Sequence, residues 1–91
     1  MTFRVYTTPS FDRELKKVAS RDILLLVAFG KIITILSSDP LNLRKEQNIK
    51  KLTDVNAGQW RIRFKDYRIR YDVANSKVIL HSIRNRKDAY K

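Results

Sequence analysis

The chain contains no cysteine, so disulfides and thiolate zinc sites are excluded. It has one histidine, His81, which rules out a metal site built from a cluster of imidazoles within the chain. Glycine and proline number two each. No Pro/Gly/Ser linker, internal repeat or low-complexity tract breaks the sequence. Its 91 residues fit one domain, 1–91, and leave no room for two. The longest apolar stretch, Ile23 to Leu36, is interrupted by Gly30, Lys31 and Thr34. A membrane-spanning helix needs about 20 apolar residues, so a core helix is expected here and no membrane partner. Met1-Thr2-Phe3-Arg4 is followed by no apolar segment of the signal-peptide kind, and a cytoplasmic location is the expectation.

Acidic residues are also scarce, with nine Asp+Glu against twenty Lys+Arg, a net charge of +11. Such a field concentrates polyanions. Nucleic acid, an anionic membrane surface and an acidic protein would each satisfy it, and charge alone does not choose. The apolar content of 43%, with nine aromatics (Trp 1, Tyr 4, Phe 4), is enough for a packed core and argues against disorder.

Phe3 and Val5 mark a short first strand. Thr8-Pro9 reads as a helix start, with Thr8 as N-cap and Pro9 at the first helical position. Phe11, Leu15, Val18 and Ala19 follow at helical spacing. Ser20-Arg21-Asp22 separates this helix from a second, from about Asp22 to Ser37, which is apolar on most sides and is expected to bury itself against the sheet. Ser38-Asp39-Pro40 ends it. Leu41 to Asn56 reads as a basic loop with a short helical turn near its start, and Asn56-Ala57-Gly58 as a turn. Three strands complete the chain: Gln59–Phe64 and Tyr67–Val73, joined by a tight connection at Lys65-Asp66, then the nearly continuous apolar run Val78–Ile83 after a turn at Asn75-Ser76. The expected fold is α+β, an antiparallel-rich sheet packed against two N-terminal antiparallel helices in the order β-α-α-β-β-β.

Side chains alternate faces along a strand. Trp60, Ile62 and Phe64 therefore share one face and Arg61 and Arg63 the other. In the next strand Tyr67, Ile69, Tyr71 and Val73 oppose Arg68 and Arg70. One hairpin register buries both apolar sets and gathers four arginines on the opposite face. Like charges across a strand pair repel, so the cluster implies an external anion, and arginine grips phosphate through paired hydrogen bonds. The plainer alternative is a basic, solvated face. Arg84, Arg86 and Lys87 extend the cationic set, and Tyr90 could stack on a base or cover a core edge. His81 lies in the apolar strand and reads as a half-buried strand residue rather than an acid–base group.

Thr-Pro-Ser-Phe-Asp-Arg-Glu-Leu-Lys-Lys (8–17), Asp-Pro (39–40), Lys-Leu (51–52), Gly-Gln-Trp-Arg-Ile-Arg (58–63), Asp-Tyr-Arg-Ile-Arg-Tyr (66–71) and Arg-Lys-Asp-Ala-Tyr (86–90) together resemble the RelE/ParE toxin superfamily over nearly the whole chain. The resemblance implies a RelE-like fold, a toxin of a type II toxin–antitoxin pair and a small antitoxin protein as partner. The RelE branch cleaves messenger RNA in the ribosomal decoding site without a metal or cofactor. There the ribose 2′-OH attacks the adjacent phosphate, leaving a cyclic phosphate and a free 5′-OH. By that resemblance Arg61, Arg63, Arg68, Arg86 and Tyr90 are the catalytic set, with Arg70, Arg84, Lys87 and Lys51 as RNA-binding residues. Arg61, Arg63 and Arg68 would hold the scissile phosphate, Arg86 would lie near the leaving oxygen, and Tyr90 would stack on a base or orient the attacking hydroxyl.

Two positions depart from the pattern. RelE has lysines where this chain has Arg61 and Arg63, and arginine does not give up its proton. Many relatives carry a histidine where this chain has Asn85. The matched site thus offers no obvious general base. The alternatives are a ParE-like toxin that poisons DNA gyrase through protein contacts, and a non-catalytic module that binds RNA or antitoxin.

Overall fold

In a computed structural model, which describes residues 2–85, the elements run β1 (Arg4–Thr7), α1 (Pro9–Ala19), α2 (Leu24–Ser38), β2 (Ile49–Lys51), β3 (Trp60–Phe64), β4 (Tyr67–Ala74) and β5 (Lys77–Asn85). The expected α+β class and the two N-terminal helices are present. One strand is added: β2 lies within the segment read as a loop. Arg86, Lys87 and Tyr90 lie outside the described residues.

The strands form one sheet in the order β1-β5-β4-β3-β2. Only β1 pairs in parallel, with β5, and the other neighbours are antiparallel. The β3–β4 connection turns at Lys65 (φ 52°) and the β4–β5 connection at Asn75 (φ 57°), the left-handed conformation that tight hairpins require.

Thr8 caps α1 as its chemistry suggests: its Oγ1 accepts the Phe11 N–H at 3.1 Å, with Pro9 inside the first turn. Asp12 near the start and Lys16 and Lys17 at the end suit the helix dipole. After α2, Asp39 gathers the chain by accepting the backbone N–H groups of Leu43 (2.9 Å) and Arg44 (3.0 Å). These two bonds hold its carboxyl below the ordinary range. Asn42 then clasps Gln47 in both directions, and the chain enters β2 through these turns instead of the expected helical one.

The core lies between one face of the sheet and the helices. Phe11 of α1 and Leu25, Ile32 and Leu36 of α2 pack with Ile62, Tyr67, Ile69, Tyr71, Val78, Leu80 and Ile83. Two buried phenols carry hydrogen bonds that fix the layers. Tyr71 donates to the Pro40 carbonyl at 2.7 Å, and Tyr67 donates to Asp22 Oδ2 at 2.8 Å, tying β4 to the turn between the helices. Burial raises the pKa of both hydroxyls, and the Asp22 carboxylate adds to the effect at Tyr67.

The second helix is less buried than its composition suggests. Leu25, Ala28, Ile32 and Leu36 form its inward stripe. Ile23 just before it, with Leu24, Leu26 and Val27 of its first turns, stays 54–76% exposed. Apolar residues on most sides of a helix outnumber the positions that a single packed face can cover.

Candidate functional site: a cationic sheet face

The face of β3 and β4 turned away from the core carries the arginines in directly opposed pairs, Arg61 with Arg70 and Arg63 with Arg68. The neighbouring strands lengthen both rows. Lys50 of β2 stands opposite Arg61, and Ser82 of β5 opposite Arg70. Arg84 of β5 stands opposite Arg68. One row therefore reads Lys50–Arg61–Arg70–Ser82 and the next Arg63–Arg68–Arg84. The sheet brings together Arg61, Arg63, Arg68, Arg70 and Arg84 of the expected set.

These cations differ in what they already hold. Arg70 Nε donates to the Gly58 carbonyl and its terminal nitrogen to the Ala57 carbonyl, both at 3.0 Å. It therefore braces the turn before β3. Gly58 is needed there on two counts. Its φ is +66°, and a Cβ would lie 3.2 Å from the Arg70 Cβ and 3.3 Å from its Nε. Arg84 reaches Glu14 of α1 at 3.5 Å in a pair that is mostly exposed on the arginine side, so it is weakly held. Arg61, Arg63 and Arg68 are half-buried, and among the described residues no carboxylate pairs with any of them. The Nε of Arg68 is buried and has no acceptor among the described residues. A buried donor left unpaired costs roughly 1–3 kcal/mol, which an incoming acceptor would recover.

Lys51 sits elsewhere. It pairs with Trp60, on the opposite face of the ladder from Lys50, and its Nζ lies 5.7 Å from the centre of the Trp60 ring. Sequence reasoning placed both lysines in a basic loop. Strand alternation could have separated them only if β2 had been recognised, and three residues give too little pattern for that.

Asp72 is the one carboxylate on this face among the strand residues described, and it is already engaged. Its oxygens accept Gln59 N–H at 2.8 Å, Gly58 N–H at 2.9 Å and His81 Nε2 at 2.8 Å. Burial pushes its pKa up, but the Gln59 and Gly58 bonds and the neighbouring His81 outweigh it, so the carboxyl lies below its ordinary range. Asp72 thus offsets little of the arginine charge.

His81 is a half-buried residue of β5, as the sequence suggests, and its ring meets Asp72. The β4–β5 register shifts between Arg70 and Tyr71: Arg70 pairs with Ser82, Tyr71 with Leu80, and His81 is the extra residue. The alternation that buries Val78 and Leu80 puts His81 on the face of Asp72 and the arginines, and the β-bulge adds Ser82 to that face before Ile83 returns to the core. Asn85 pairs with Tyr67 at the end of β5. Among the described residues no group of three His, Asp or Glu side chains comes together to hold a metal ion, and no helix is long and apolar enough to cross a membrane.

A mixed sheet of this order, two N-terminal helices on one face and a cationic ladder on the other define a RelE-like architecture. The family model described as "ParE toxin of type II toxin-antitoxin system, parDE" matches residues 5–90, and the chain belongs to that family. It is a toxin of the RelE/ParE superfamily. Among solved structures, the RelBE2 toxin–antitoxin complex from Mycobacterium tuberculosis aligns at 25% identity with a TM-score of 0.75, covering 94% of this chain and all of that one. The archaeal RelE–RelB complex from Pyrococcus horikoshii OT3 aligns at 22% identity and a TM-score of 0.64, over 94% of this chain and 97% of that one. The DinJ–YafQ complex from E. coli shares only 13% identity but the same fold, with a TM-score of 0.71 over the full length of both chains. No curated protein matches the chain at a significant level.

Proposed function

We propose that this toxin is a messenger RNA endoribonuclease that acts on the ribosome. The observation that carries the reading is the triad of uncommitted arginines: Arg61, Arg63 and Arg68 share one rigid sheet face, no described carboxylate pairs with them, and a buried Arg68 Nε lacks an acceptor among the described residues. A phosphodiester supplies the missing acceptors and the missing negative charge.

The chemistry follows from that placement. The ribose 2′-oxygen attacks the adjacent phosphorus, the P–O5′ bond breaks, and the products are a 2′,3′-cyclic phosphate and a 5′-OH. Negative charge grows on the phosphoryl oxygens on the way. Guanidinium groups fixed on strands stabilise that charge without reorganising. Arg86 and Tyr90, matched to the family pattern, would complete the site near the leaving oxygen and the flanking base.

The complexes among the structural relatives support an antitoxin as the protein partner. An acidic segment would cover the arginine face. The exposed apolar side of α2, bordered by Arg21 and Lys31, would give such a partner a second hold.

One observation favours a second reading: the family model that matches carries the ParE description. Under it the cationic face would contact gyrase rather than RNA. Expression of the chain in growing bacteria, with RNA 5′-end mapping and a supercoiling assay, separates the two. New 5′-OH ends inside translated frames, absent in Arg61→Ala/Arg68→Ala, are the expected outcome. Growth arrest with intact messages and inhibited supercoiling would replace the ribonuclease reading with the gyrase one.

A further inference from the structure

Removal of the 2′-OH proton is a step that the arginine set cannot perform, because arginine stays protonated. Lys50 and His81 are basic groups beside this ladder on the same face. Of the two side-chain types, imidazole is the one suited to exchanging a proton near neutral pH. We infer that His81, which shares the arginine face and is oriented by Asp72, is the general base that takes the proton from the attacking 2′-OH. The inference rests on the ribonuclease reading and deepens it.

Three features of the site support the assignment. The first is the placement. Alternation from the buried Val78 and Leu80 puts His81 on the arginine face, and the extra residue brings Ser82, the partner of Arg70, onto that face beside it. The second is the tautomer. Nε2 lies 2.8 Å from Asp72 Oδ2, and Asp72 is held ionised by the Gln59 and Gly58 N–H groups, so Nε2 carries the hydrogen. The lone pair is therefore on Nδ1, the atom left to meet a substrate. The third is support for the product state. When Nδ1 takes the proton, Asp72 stabilises the imidazolium, and the carboxylate is fixed to the backbone rather than free to swing.

The position suits the task. His81 flanks the Lys50–Arg61–Arg70–Ser82 row, and β5 stands two strand spacings from β3, roughly 10 Å. His81 and the arginines of β3 and β4 share this face, so a phosphate and its neighbouring ribose can rest on one surface. Arg70 and Asp72 on β4 are the charged groups beside the ring, and Tyr6 of β1 lies on the same face, level with Ile79. In the reaction the 2′-OH proton passes to Nδ1, the 2′-oxygen bonds to phosphorus, the P–O5′ bond breaks, and the departing 5′-oxygen is protonated from water or an acid.

Single-turnover cleavage of a message on programmed ribosomes, followed across pH, tests this directly. Wild type should slow as pH falls through the imidazole range. His81→Ala should cleave about a hundredfold or more slowly, lose that acid limb, and recover in part when free imidazole is added. Thermal melts of the same variant separate lost chemistry from lost folding. Because His81 is the only histidine, its ¹⁵N signals in the free wild-type chain report the premise independently, and Nδ1 should be the unprotonated nitrogen at neutral pH. A folded His81→Ala that cleaves at close to the wild-type rate with its acid limb intact overturns the inference and leaves the ribonuclease reading standing. An Nδ1–H tautomer overturns it as well. Wild type that leaves messages intact, under conditions where a RelE control cuts them, removes the ribonuclease reading and the base with it.

Discussion

The two faces of the β3–β4 hairpin are made by the same residues in alternation, yet they follow opposite rules. On one face Ile62, Tyr67, Ile69 and Tyr71 are buried under the helices, and each buried hydroxyl has its partner. On the other, Arg61, Arg63, Arg68 and Arg70 stand in opposed pairs, and a buried guanidinium nitrogen finds no acceptor among the described residues. The first face lowers the free energy of the folded chain. The second raises it through like-charge repulsion and an orphan donor, and it is tolerated because the first holds the strands in register. Stability and ligand affinity are thus separable on this hairpin, although a single register produces both.

Substitutions on each side probe that separation. Ile69→Ala, which empties a fully buried site, should destabilise the fold by about 2–5 kcal/mol in denaturant titrations. Arg68→Ala, one residue away on the other face, should leave the unfolding midpoint nearly unchanged, or raise it, while weakening RNA binding and cleavage by roughly a hundredfold. Equal losses of stability from the two would break the comparison.

Intermediate effects come from residues that join the faces. Gly58→Ala forces a left-handed φ on alanine and drives its Cβ against Arg70, for a cost of roughly 1–3 kcal/mol seen in thermal melts. Tyr71→Phe strands the Pro40 carbonyl and should cost about 1–3 kcal/mol by the same measurement. The smallest effect expected is that of Thr8→Ala, which removes the α1 cap on the periphery and should cost about 1 kcal/mol.

Acid unfolding sharpens the comparison further. Asp72 has a lowered carboxyl pKa in the folded chain. Its contribution to stability is therefore complete above the unfolded-state value, about 3.9, and is lost as pH falls through the lower folded value. Asp72→Asn should flatten that part of the stability–pH curve, measured as the denaturation midpoint at each pH.

Much of this was legible in the residues. The alternation of Trp60–Phe64 and Tyr67–Val73 specifies which side chains share a face, because the period of a strand leaves no freedom once one face is buried. Thr8-Pro9 specifies the start of α1 by local chemistry alone. What stayed hidden depends on contacts distant in sequence. The strand β2 exists because Ile49–Lys51 pairs with Trp60–Ile62, with flanking bonds from Arg63 N to Asn48 O and from Leu52 N to Gln59 O. The diversion of Arg70 to the Ala57 and Gly58 carbonyls depends on where that turn lies over the sheet. The bulge that puts Ser82 beside His81 is a registry defect, and its sequence, Leu-His-Ser, carries no mark of it. In α2, composition showed that the helix is apolar but not that its first turns, Leu24, Leu26 and Val27, extend past the area of sheet available to cover them.

The central claim is that the uncovered arginine face does the chemistry while the covered face keeps the fold. It is tested most directly by comparing wild type with Arg63→Ala/Arg68→Ala in a reconstituted translation reaction, reading message ends and unfolding midpoints on the same preparations. The account predicts 2′,3′-cyclic phosphate and 5′-OH ends with wild type, their loss in the variant, and unfolding midpoints that coincide. A variant that melts with wild type and still cuts the message at the wild-type rate would contradict it.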